Sequence, residues 1–288
     1  MTVGTSRNLV SIIKNISSLT PMYKKDKLTH PEMPPLNPSE FDQLRKDIII
    51  PDVRNLDYSE FKSQIEAHFK ETTVNDLEGF DAFPSHDIIL GCQNYVDNLI
   101  SKNGIGGLQI FEHDYGYYKK ICPGITYTTT ENLVPGKPLL IAMPFPGHLG
   151  IHRQMTEILQ ICTDKCIDVH LDCAWLTSAF DINFNFDQPC IKSFAMSFSK
   201  AYGLHWNKIG LRWSRTRDQT DSITILNNSS AISKANLYVA TRYMQKFSID
   251  HLVKKYKTQY LDICKDLKLR PSNIIHACFS LDRKFLYG

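Results

Sequence analysis

The sequence lacks the features that mark membrane, fibrous and disordered proteins. No apolar run among its 288 residues reaches the roughly eighteen that a membrane-spanning helix needs. Arg7, Lys14 and Asn15 interrupt the first residues before an apolar signal-type segment develops, and there is no internal repeat or low-complexity tract. These absences predict a cytoplasmic globular protein with no membrane partner.

A large excess of one charge is also missing. The 33 lysines and arginines are nearly balanced by 30 aspartates and glutamates, which gives a formal net charge of +3. A nucleic-acid surface needs basic residues clustered on one face. The two short basic runs, at residues 24–27 and 254–257, are better interpreted as solvated faces. The charge balance therefore predicts no nucleic-acid partner.

Metal-binding spacings are absent as well. The eight cysteines are irregularly spaced, as expected of reduced and mostly buried thiols. Cys162 and Cys166 form the closest pair, and no second pair stands at zinc spacing. His148 and His152 could share a helix face as metal ligands, but the Pro-Gly pair at 146–147 favours a turn. No metal is predicted.

What the sequence does contain is an alternation of short apolar runs with helical patterns. Near-continuous apolar strands separated by helices are typical of an α/β fold with a mostly parallel sheet flanked by helices. The predicted strands are residues 87–91, 108–111, 139–143, 167–171 and 193–198, and the predicted helices are 58–69, 95–100 and 152–162. Residues 1–50 precede them as a proline-punctuated arm with a short amphipathic stretch at 9–13.

Chemistry in such sheets collects where strands end at their carboxyl edge. The pattern predicts that residues 91–93, 172–175 and 197–200 lie side by side there. A lysine after an apolar strand, such as Lys200, is costly unless its charge is removed or compensated. An imine to an aldehyde cofactor removes the free amine, and the carboxylate of Asp172 could lie in the same cleft.

These segments carry a resemblance to a known family. Residues 197–204, Ser-Phe-Ser-Lys-Ala-Tyr-Gly-Leu, and the Lys-Ile-Gly at 208–210 resemble the lysine signature of fold-type I pyridoxal-phosphate enzymes, in the class I/II aminotransferase-like group. The Asp-Cys-Ala-Trp at 172–175 is similar to that family's strand-ending Asp-x-Ala-Tyr. Residues 91–93 resemble its phosphate cup and residues 113–118 its aromatic segment. All four follow the family's order, and together they cover about residues 85–215.

The resemblance implies a role for each matching residue. Lys200 would hold pyridoxal 5'-phosphate as an aldimine and act as the catalytic base. Asp172 would pair with the pyridine nitrogen and keep it protonated. The remaining residues implied to bind the cofactor are Gly91, Cys92, Gln93, Ser197, Ser199 and Lys208 around the phosphate, and Tyr115 and Trp175 around the ring.

Simpler interpretations stay open for three of these residues. Lys200 could be a surface lysine, although the Ser-x-Ser-Lys context and Asp172 favour the cofactor role. Tyr115 could be an ordinary core or loop tyrosine, since three tyrosines fall within four residues. Asp172 could be a helix N-cap.

The sequence also departs from the family pattern. Phe145 and Trp175 stand where an asparagine and a tyrosine usually contact the cofactor's phenolic oxygen, and Lys208 replaces an arginine. Only 88 residues follow Lys200, and Arg283 is the only late candidate for binding the substrate carboxylate.

The resemblance therefore implies an aminotransferase that moves an amino group between a small-molecule amino donor and a keto or aldehyde acceptor. A lyase or decarboxylase on the same fold, or a non-catalytic pseudoenzyme, is the alternative. The expected domains are an arm and part of a small domain at 1–77, a cofactor-binding large domain at 78–240, and a reduced C-terminal small domain at 241–288. A homodimer is expected, because the resembled fold builds its pocket from two subunits.

Overall fold

A mostly parallel seven-stranded sheet organises the chain. The computed structural model describes residues 36–52, 57–104, 106–279 and 285–287. Its strands are β1 (Asp76–Glu78), β2 (Ser85–Ile89), β3 (Gln109–Phe111), β4 (Thr126–Thr128), β5 (Leu139–Ala142), β6 (Val169–Asp172), β7 (Asn183–Asn185), β8 (Ile191–Ser197), β9 (Gly210–Ser214), β10 (Arg270–Pro271), β11 (Ala277–Phe279) and β12 (Phe285–Tyr287).

The strand order in the large sheet is β2-β9-β8-β6-β5-β3-β4. Every neighbouring pair from β8 to β4 is parallel, whereas β9 is antiparallel to both β2 and β8. The short strands β1 and β7 pair with each other, and β10, β11 and β12 form a small antiparallel sheet. The predicted α/β class with a mostly parallel sheet is confirmed.

Helices cover both faces of this sheet. They are α1 (Ser39–Asp47), α2 (Tyr58–Lys70), α3 (Cys92–Asn103), α4 (Tyr117–Ile121), α5 (Met155–Asp164), α6 (Phe198–Ala201), α7 (Ser222–Asn228), α8 (Lys234–Lys246) and α9 (His251–Asp266). Alternate residues of β5 show the two faces: Leu139 and Ile141 belong to one apolar cluster and Leu140 to the other. Both faces are therefore buried, which explains the uninterrupted apolar strands.

The predicted helix at residues 58–69 is confirmed. Phe61, Ile65 and Phe69, placed on one face by their spacing, are all buried. Asp57 caps the helix by accepting a hydrogen bond from the Ser59 amide at 2.8 Å. The predicted arm, including its stretch at 9–13, lies outside the described residues for its first 35 positions, and the three domain boundaries remain predictions.

The helix predicted at residues 152–162 begins three residues later, at Met155. The amides of Gln154 and Met155 donate hydrogen bonds to the ring Nδ1 and the carbonyl of His152, at 3.2 and 2.9 Å. These local bonds form a turn, as the preceding Pro-Gly pair predicts. Periodicity alone extended the helix too far toward its N-terminus.

The pairing of the strands brings several chain segments together at the carboxyl edge of the sheet, which is the side where its parallel strands end. Because β6 and β8 are parallel, Asp172 and Ser197 both end at that edge. The antiparallel β9 starts there, with Gly210 paired to both Ser197 and Ile89. Only a glycine fits at 210, since a Cβ there would lie 2.2 Å from the Met196 carbonyl oxygen.

The aromatic cluster around Phe194 of β8 is expected to contribute much of the stability of the fold. Phe194 is fully buried, and its ring stacks on Trp213 and Phe186 at centroid distances of 4.9 and 4.1 Å. Replacing Phe194 by alanine removes these contacts and leaves a cavity, so we expect the free energy of unfolding to fall by about 3–5 kcal/mol in chemical denaturation. Ile49→Ala, at a side chain that is 85% exposed, is the control and should change it by less than about 0.5 kcal/mol.

Candidate functional site

Lys200 lies on the short helix α6 that follows β8. Phe198, at the start of α6, is fully buried and stacks on Phe69 at 4.6 Å. Ala201 and Tyr202 are also buried, whereas Ser199 and Lys200 are only half-buried. The buried residues fix the helix on the core and leave Ser199 and Lys200 at the sheet edge.

Trp175 contacts the Lys200 amine. The Lys200 Nζ lies 4.1 Å from the centre of the Trp175 ring, a cation–π distance. Trp175 follows the end of β6 by three residues and precedes a short helix at Leu176–Ser178. The segment 172–175 therefore contacts the segment 197–200. These are two of the three segments that the sequence predicts to lie side by side.

Asp172 is a buried carboxylate held by defined hydrogen bonds. Tyr118 donates its hydroxyl hydrogen to Asp172 Oδ2 at 2.8 Å, and the Ala174 amide donates to Oδ1 at 3.1 Å. Burial raises the pKa of Asp172, and these two hydrogen bonds work in the opposite direction. Because Asp172 binds an amide two residues on, outside the short helix that starts after Trp175, it forms a turn rather than a helix N-cap.

Cys92 lies next to Asp172. Its thiol donates to the Ala195 carbonyl at 3.4 Å and interacts with the Asp172 carboxylate. Burial raises the pKa of the Cys92 thiol well above its ordinary value. A buried neutral thiol is a packing and hydrogen-bonding group, not a nucleophile.

The third predicted neighbour, the segment 91–93, lies beside Ser199 and Lys208, and this group is called the Gly91 cradle. Gly91 precedes α3 with φ +79°, and a Cβ there would point at Lys208 side-chain carbons 3.5 Å away and at Ser199 Oγ 3.7 Å away. Lys208 donates from Nζ to Gln93 Oε1 at 2.5 Å. A lysine, a serine hydroxyl and a helix N-terminus thus surround the space that Gly91 leaves open.

Tyr115 follows β3 at the same edge and is half-buried. Its ring stacks on Tyr117 at 5.8 Å and meets the edge of Tyr118 at 5.5 Å. Asp114 fixes its backbone by accepting the Tyr115 amide at 2.6 Å and the Ala142 amide at 3.2 Å. Tyr115 is thus part of an aromatic group that includes the tyrosine bonded to Asp172.

Phe145 is buried among histidine rings. Its ring contacts His148 and His152 at centroid distances of 5.2 and 4.6 Å. Burial lowers the pKa of His152 to about 4, and the nearby His148 adds to this shift. Within the described residues no group of three or more histidines, cysteines and acids could hold a metal ion.

Sequence reasoning missed three residues at this edge: Tyr118, Asp114 and His276. Tyr118 belongs to the aromatic segment at 113–118, but the sequence predicts no partner for its hydroxyl. Asp114 also belongs to that segment, and the sequence indicates no role for it. His276 packs its ring on Trp175 at 5.3 Å and gives no signal in the sequence. Arg283, the predicted substrate-binding arginine, lies outside the described residues.

No protein-family model and no curated protein sequence matches this chain. Its structure is nevertheless similar to that of an aspartate aminotransferase double mutant from Thermus thermophilus, with a TM-score of 0.61, 10% identity, and coverage of 96% of this chain and 82% of the other. A histidinol-phosphate aminotransferase from Sinorhizobium meliloti in complex with pyridoxal-5'-phosphate has a TM-score of 0.56 and 17% identity, and the match covers 85% of this chain and 72% of the other. An L-threonine-O-3-phosphate decarboxylase from Porphyromonas gingivalis has a TM-score of 0.58 and 13% identity, and the match covers 83% of this chain and 78% of the other.

The chain has the fold shared by these enzymes. The predicted resemblance to the fold of the class I/II aminotransferase-like group is therefore confirmed. Identities of 10% to 17% establish the fold alone. None of the described helices combines the length and apolar character needed to cross a membrane.

Asp114 should give the protein a measurable pH dependence of stability. Burial raises the pKa of Asp114 to about 8, and the charge of Asp172 adds to the shift. In the unfolded chain the same group titrates near 4. Between about pH 4 and 8, Asp114 is therefore protonated in the folded chain and ionised in the unfolded chain. The stability that this proton contributes is fully present below about pH 4 and is lost as the pH rises toward 8.

Asp114→Asn removes the titration while retaining an oxygen that can accept the two amides. Relative to this variant, the wild-type free energy of unfolding should fall by up to about 1.4 kcal/mol per pH unit between pH 4 and 8. Urea unfolding at a series of pH values measures the difference. Asp262→Asn, on the exposed face of α9, is the control and should keep the wild-type pH dependence. A pH-independent difference between Asp114→Asn and wild type would contradict the expectation.

Proposed function

We propose that this chain is a pyridoxal-phosphate-dependent aminotransferase that moves an amino group from an amino acid or amine donor to a keto or aldehyde acceptor. The observation that carries the proposal is that the strand ends next to Lys200, Asp172 and the Gly91 cradle lie at the same edge of the sheet, in a fold shared with aminotransferases. Each of these three features suits a different part of the same cofactor.

The Gly91 cradle fits the phosphate group. A phosphate needs space, positive charge and hydrogen-bond donors, which backbone amides at a helix N-terminus provide. The open Cβ position of Gly91 offers space beside Ser199 Oγ and the Lys208 chain. The Cys92 and Gln93 amides would donate from the first turn of α3, with Ser197 at the neighbouring strand end. Lys208 would bring a compact point charge rather than a planar guanidinium.

Asp172 fits the pyridine end of the cofactor. When bound, pyridoxal phosphate supplies an aldehyde that bonds to an amine and a ring that accepts electrons. A carboxylate beside the ring nitrogen would keep that nitrogen protonated, which strengthens the ring as an electron acceptor. Tyr118 and the Ala174 amide fix both Asp172 oxygens. The positive charge of a protonated ring would offset the burial that raises the pKa of Asp172.

Lys200 would bind the cofactor covalently and then move protons. Its amine lies at the edge of the sheet and against the face of the Trp175 ring. Once a substrate amine displaces it, the free amine would act as the base for the proton on the substrate α-carbon. Tyr115, held by the Asp114 carboxyl, would support one face of the ring.

Two departures would tune this site differently from the resembled family. Phe145 has no polar side-chain atom, and its ring contacts histidines. Trp175 presents its ring face to Lys200 where a hydroxyl is usual. With fewer hydrogen bonds to its phenolic oxygen, the bound cofactor would favour a different balance of protonation states.

A lyase or decarboxylase is the second candidate, because a decarboxylase is among the proteins of the same fold. Which bond of the substrate breaks depends on its alignment with the ring, and Lys200 and Asp172 serve either reaction. A non-catalytic protein that retains the fold is the third candidate, and Phe145 and Trp175 favour it.

We also propose a cytoplasmic homodimer. Seven of the eight cysteines are buried, as is common for thiols in a reducing compartment. Trp206, which is 80% exposed, lies between Lys200 and Lys208 in the sequence and offers an apolar contact for a second copy. Sedimentation of the wild type and Trp206→Ser tests the dimer; two monomeric samples would overturn it.

Lys200→Ala is expected to abolish covalent attachment of the cofactor. Wild-type protein incubated with pyridoxal 5'-phosphate should show the visible absorbance of the bound cofactor. After borohydride reduction, mass spectrometry should find the phosphopyridoxyl group on the peptide containing Lys200. Lys192→Ala, on the strand that leads to Lys200, is the matched control and should behave as wild type. A wild type that stays colourless and binds no added cofactor would support the non-catalytic alternative.

The same sample separates transfer from lyase chemistry. Transfer of an amino group converts the bound aldehyde into its amine form, which chromatography of the released cofactor detects. Decarboxylation of an amino acid releases carbon dioxide and returns the aldehyde. A mixture of amino acids that yields carbon dioxide without aminated cofactor would contradict the aminotransferase proposal.

Lys208→Met tests the phosphate end. Loss of a charge-assisted hydrogen bond to phosphate should weaken pyridoxal 5'-phosphate binding by about tenfold or more, measured by titration of the cofactor-free protein. Binding of pyridoxal, which has no phosphate, should be unaffected. Lys208→Arg, which keeps the charge, is the control. Equal losses for both ligands would show that Lys208 does not contact the phosphate.

A further inference from the structure

His276 is a buried polar residue near Lys200, and one of its two ring nitrogens has no hydrogen-bond partner among the described residues. Only 5% of the residue is exposed. Its Nε2 accepts a hydrogen bond from the Leu36 amide at 3.3 Å. Its Nδ1 is buried and has no hydrogen-bond partner within residues 36–52, 57–104 and 106–279. Buried ring nitrogens nearly always have a partner, so this one needs an explanation.

The position of His276 is fixed by the backbone around it. Asn273 and Phe180 exchange two hydrogen bonds, from the Phe180 amide at 2.9 Å and from Asn273 Nδ2 at 3.0 Å. These bonds join the turn before His276 to the chain that follows the short helix Leu176–Ser178. The His276 ring packs edge-on against Trp175 at 5.3 Å. A side chain held this firmly is suited to recognising a ligand.

The nitrogen without a partner is a donor at neutral pH. Burial, together with the positive charge of Lys200, lowers the pKa of His276 to about 3, so the ring is neutral. In a neutral imidazole one nitrogen accepts and the other carries the hydrogen. Because Nε2 accepts from Leu36, the hydrogen is on Nδ1. The Nδ1–H of His276 is therefore a buried hydrogen-bond donor that has no acceptor among the described residues.

The acceptor should belong to the ligand held at Lys200. Trp175 contacts both the Lys200 amine and the His276 ring, which places the three side chains in one cluster. Phe145 has no polar side-chain atom with which to bind a ligand oxygen. A neutral donor also avoids adding a second positive charge beside Lys200.

We propose that His276 donates its Nδ1 hydrogen to an anionic oxygen of the ligand bound at Lys200, an inference that rests on the proposed function. Two oxygens have this chemistry: the phenolic oxygen of the cofactor and a carboxylate oxygen of an amino acid substrate. His276 is thus a ligand-binding residue from the C-terminal part of the chain.

Three probes distinguish the two oxygens. They are pyridoxal 5'-phosphate itself and its stable reduced adducts with L-alanine and with ethylamine, of which only the alanine adduct carries a carboxylate. Each is titrated into cofactor-free wild type, His276→Phe, His276→Asn and His251→Phe, with binding followed by calorimetry. His276→Phe keeps a ring against Trp175 but has no donor, whereas asparagine places an N–H near the Nδ1 position. His251 lies on α9 and serves as the control.

His276→Phe is expected to weaken binding by about tenfold or more, as for other hydrogen bonds to charged groups, and His276→Asn to restore part of the loss. An equal loss for all three probes assigns the acceptor to the phenolic oxygen. A loss confined to the alanine adduct assigns it to the substrate carboxylate. Unchanged binding in His276→Phe, or equal losses in His276→Phe and His276→Asn, would overturn the inference while the proposed function stands. A wild type that binds none of the probes would overturn both.

Discussion

The candidate site depends on the alignment of β8 between β6 and β9. Parallel pairing with β6 brings Ser197 and Asp172 to the same edge, and antiparallel pairing with β9 returns the chain to that edge at Gly210. A slip of one residue would turn every side chain of β8 to the opposite face. The buried stack of Phe194 and Trp213 opposes such a slip, because it requires those two residues to lie side by side. The apolar core thus fixes the positions of the polar groups at the edge.

Polar groups at that edge are expensive to bury, and the fold compensates for most of them. Asp172 has Tyr118 and the Ala174 amide as partners, and Asp114 has two backbone amides. Even so, burial raises the pKa of both carboxyl groups. Such groups cost stability in the absence of a compensating charge, and in a site that binds a cation they become the groups that recognise it. The raised pKa values are therefore consistent with a site shaped for a ligand rather than for maximal stability.

Much of the fold could be predicted from the sequence, for identifiable physical reasons. The β5, β6 and β8 strands are nearly continuous apolar runs because both faces of the sheet are covered, and their ends mark the edge where chemistry collects. The segments around Gly91, Asp172 and Lys200 were therefore expected together, and the contact of Trp175 with Lys200 agrees. Element ends were predicted less well, as at residues 152–154, where a histidine ring and a carbonyl bind the amides that follow. Local side-chain bonds of this kind leave no periodic signal.

Long-range polar partners could not have been predicted at all. Tyr118 and Asp172 are 54 residues apart, and His276 binds an amide 240 residues away, at Leu36. Nothing in the local sequence near residue 276 distinguishes a ligand-facing histidine from one packed in a core, because the difference lies in which nitrogen has a partner.

Under the proposed function, the aromatic residues Phe145 and Trp175 at positions where the resembled family has polar ones make such distant partners more important. Trp175 places an aromatic ring against the Lys200 amine and the His276 ring. A hydrogen-bond donor buried beside such a ring acts more strongly than in water. Under the proposed function, a site without the amide and hydroxyl of the resembled family would recover specificity from the His276 imidazole, whose neighbouring backbone is held by the hydrogen bonds between Asn273 and Phe180. The reaction that the site favours would then depend on the C-terminal segment that carries His276 as well as on the lysine segment.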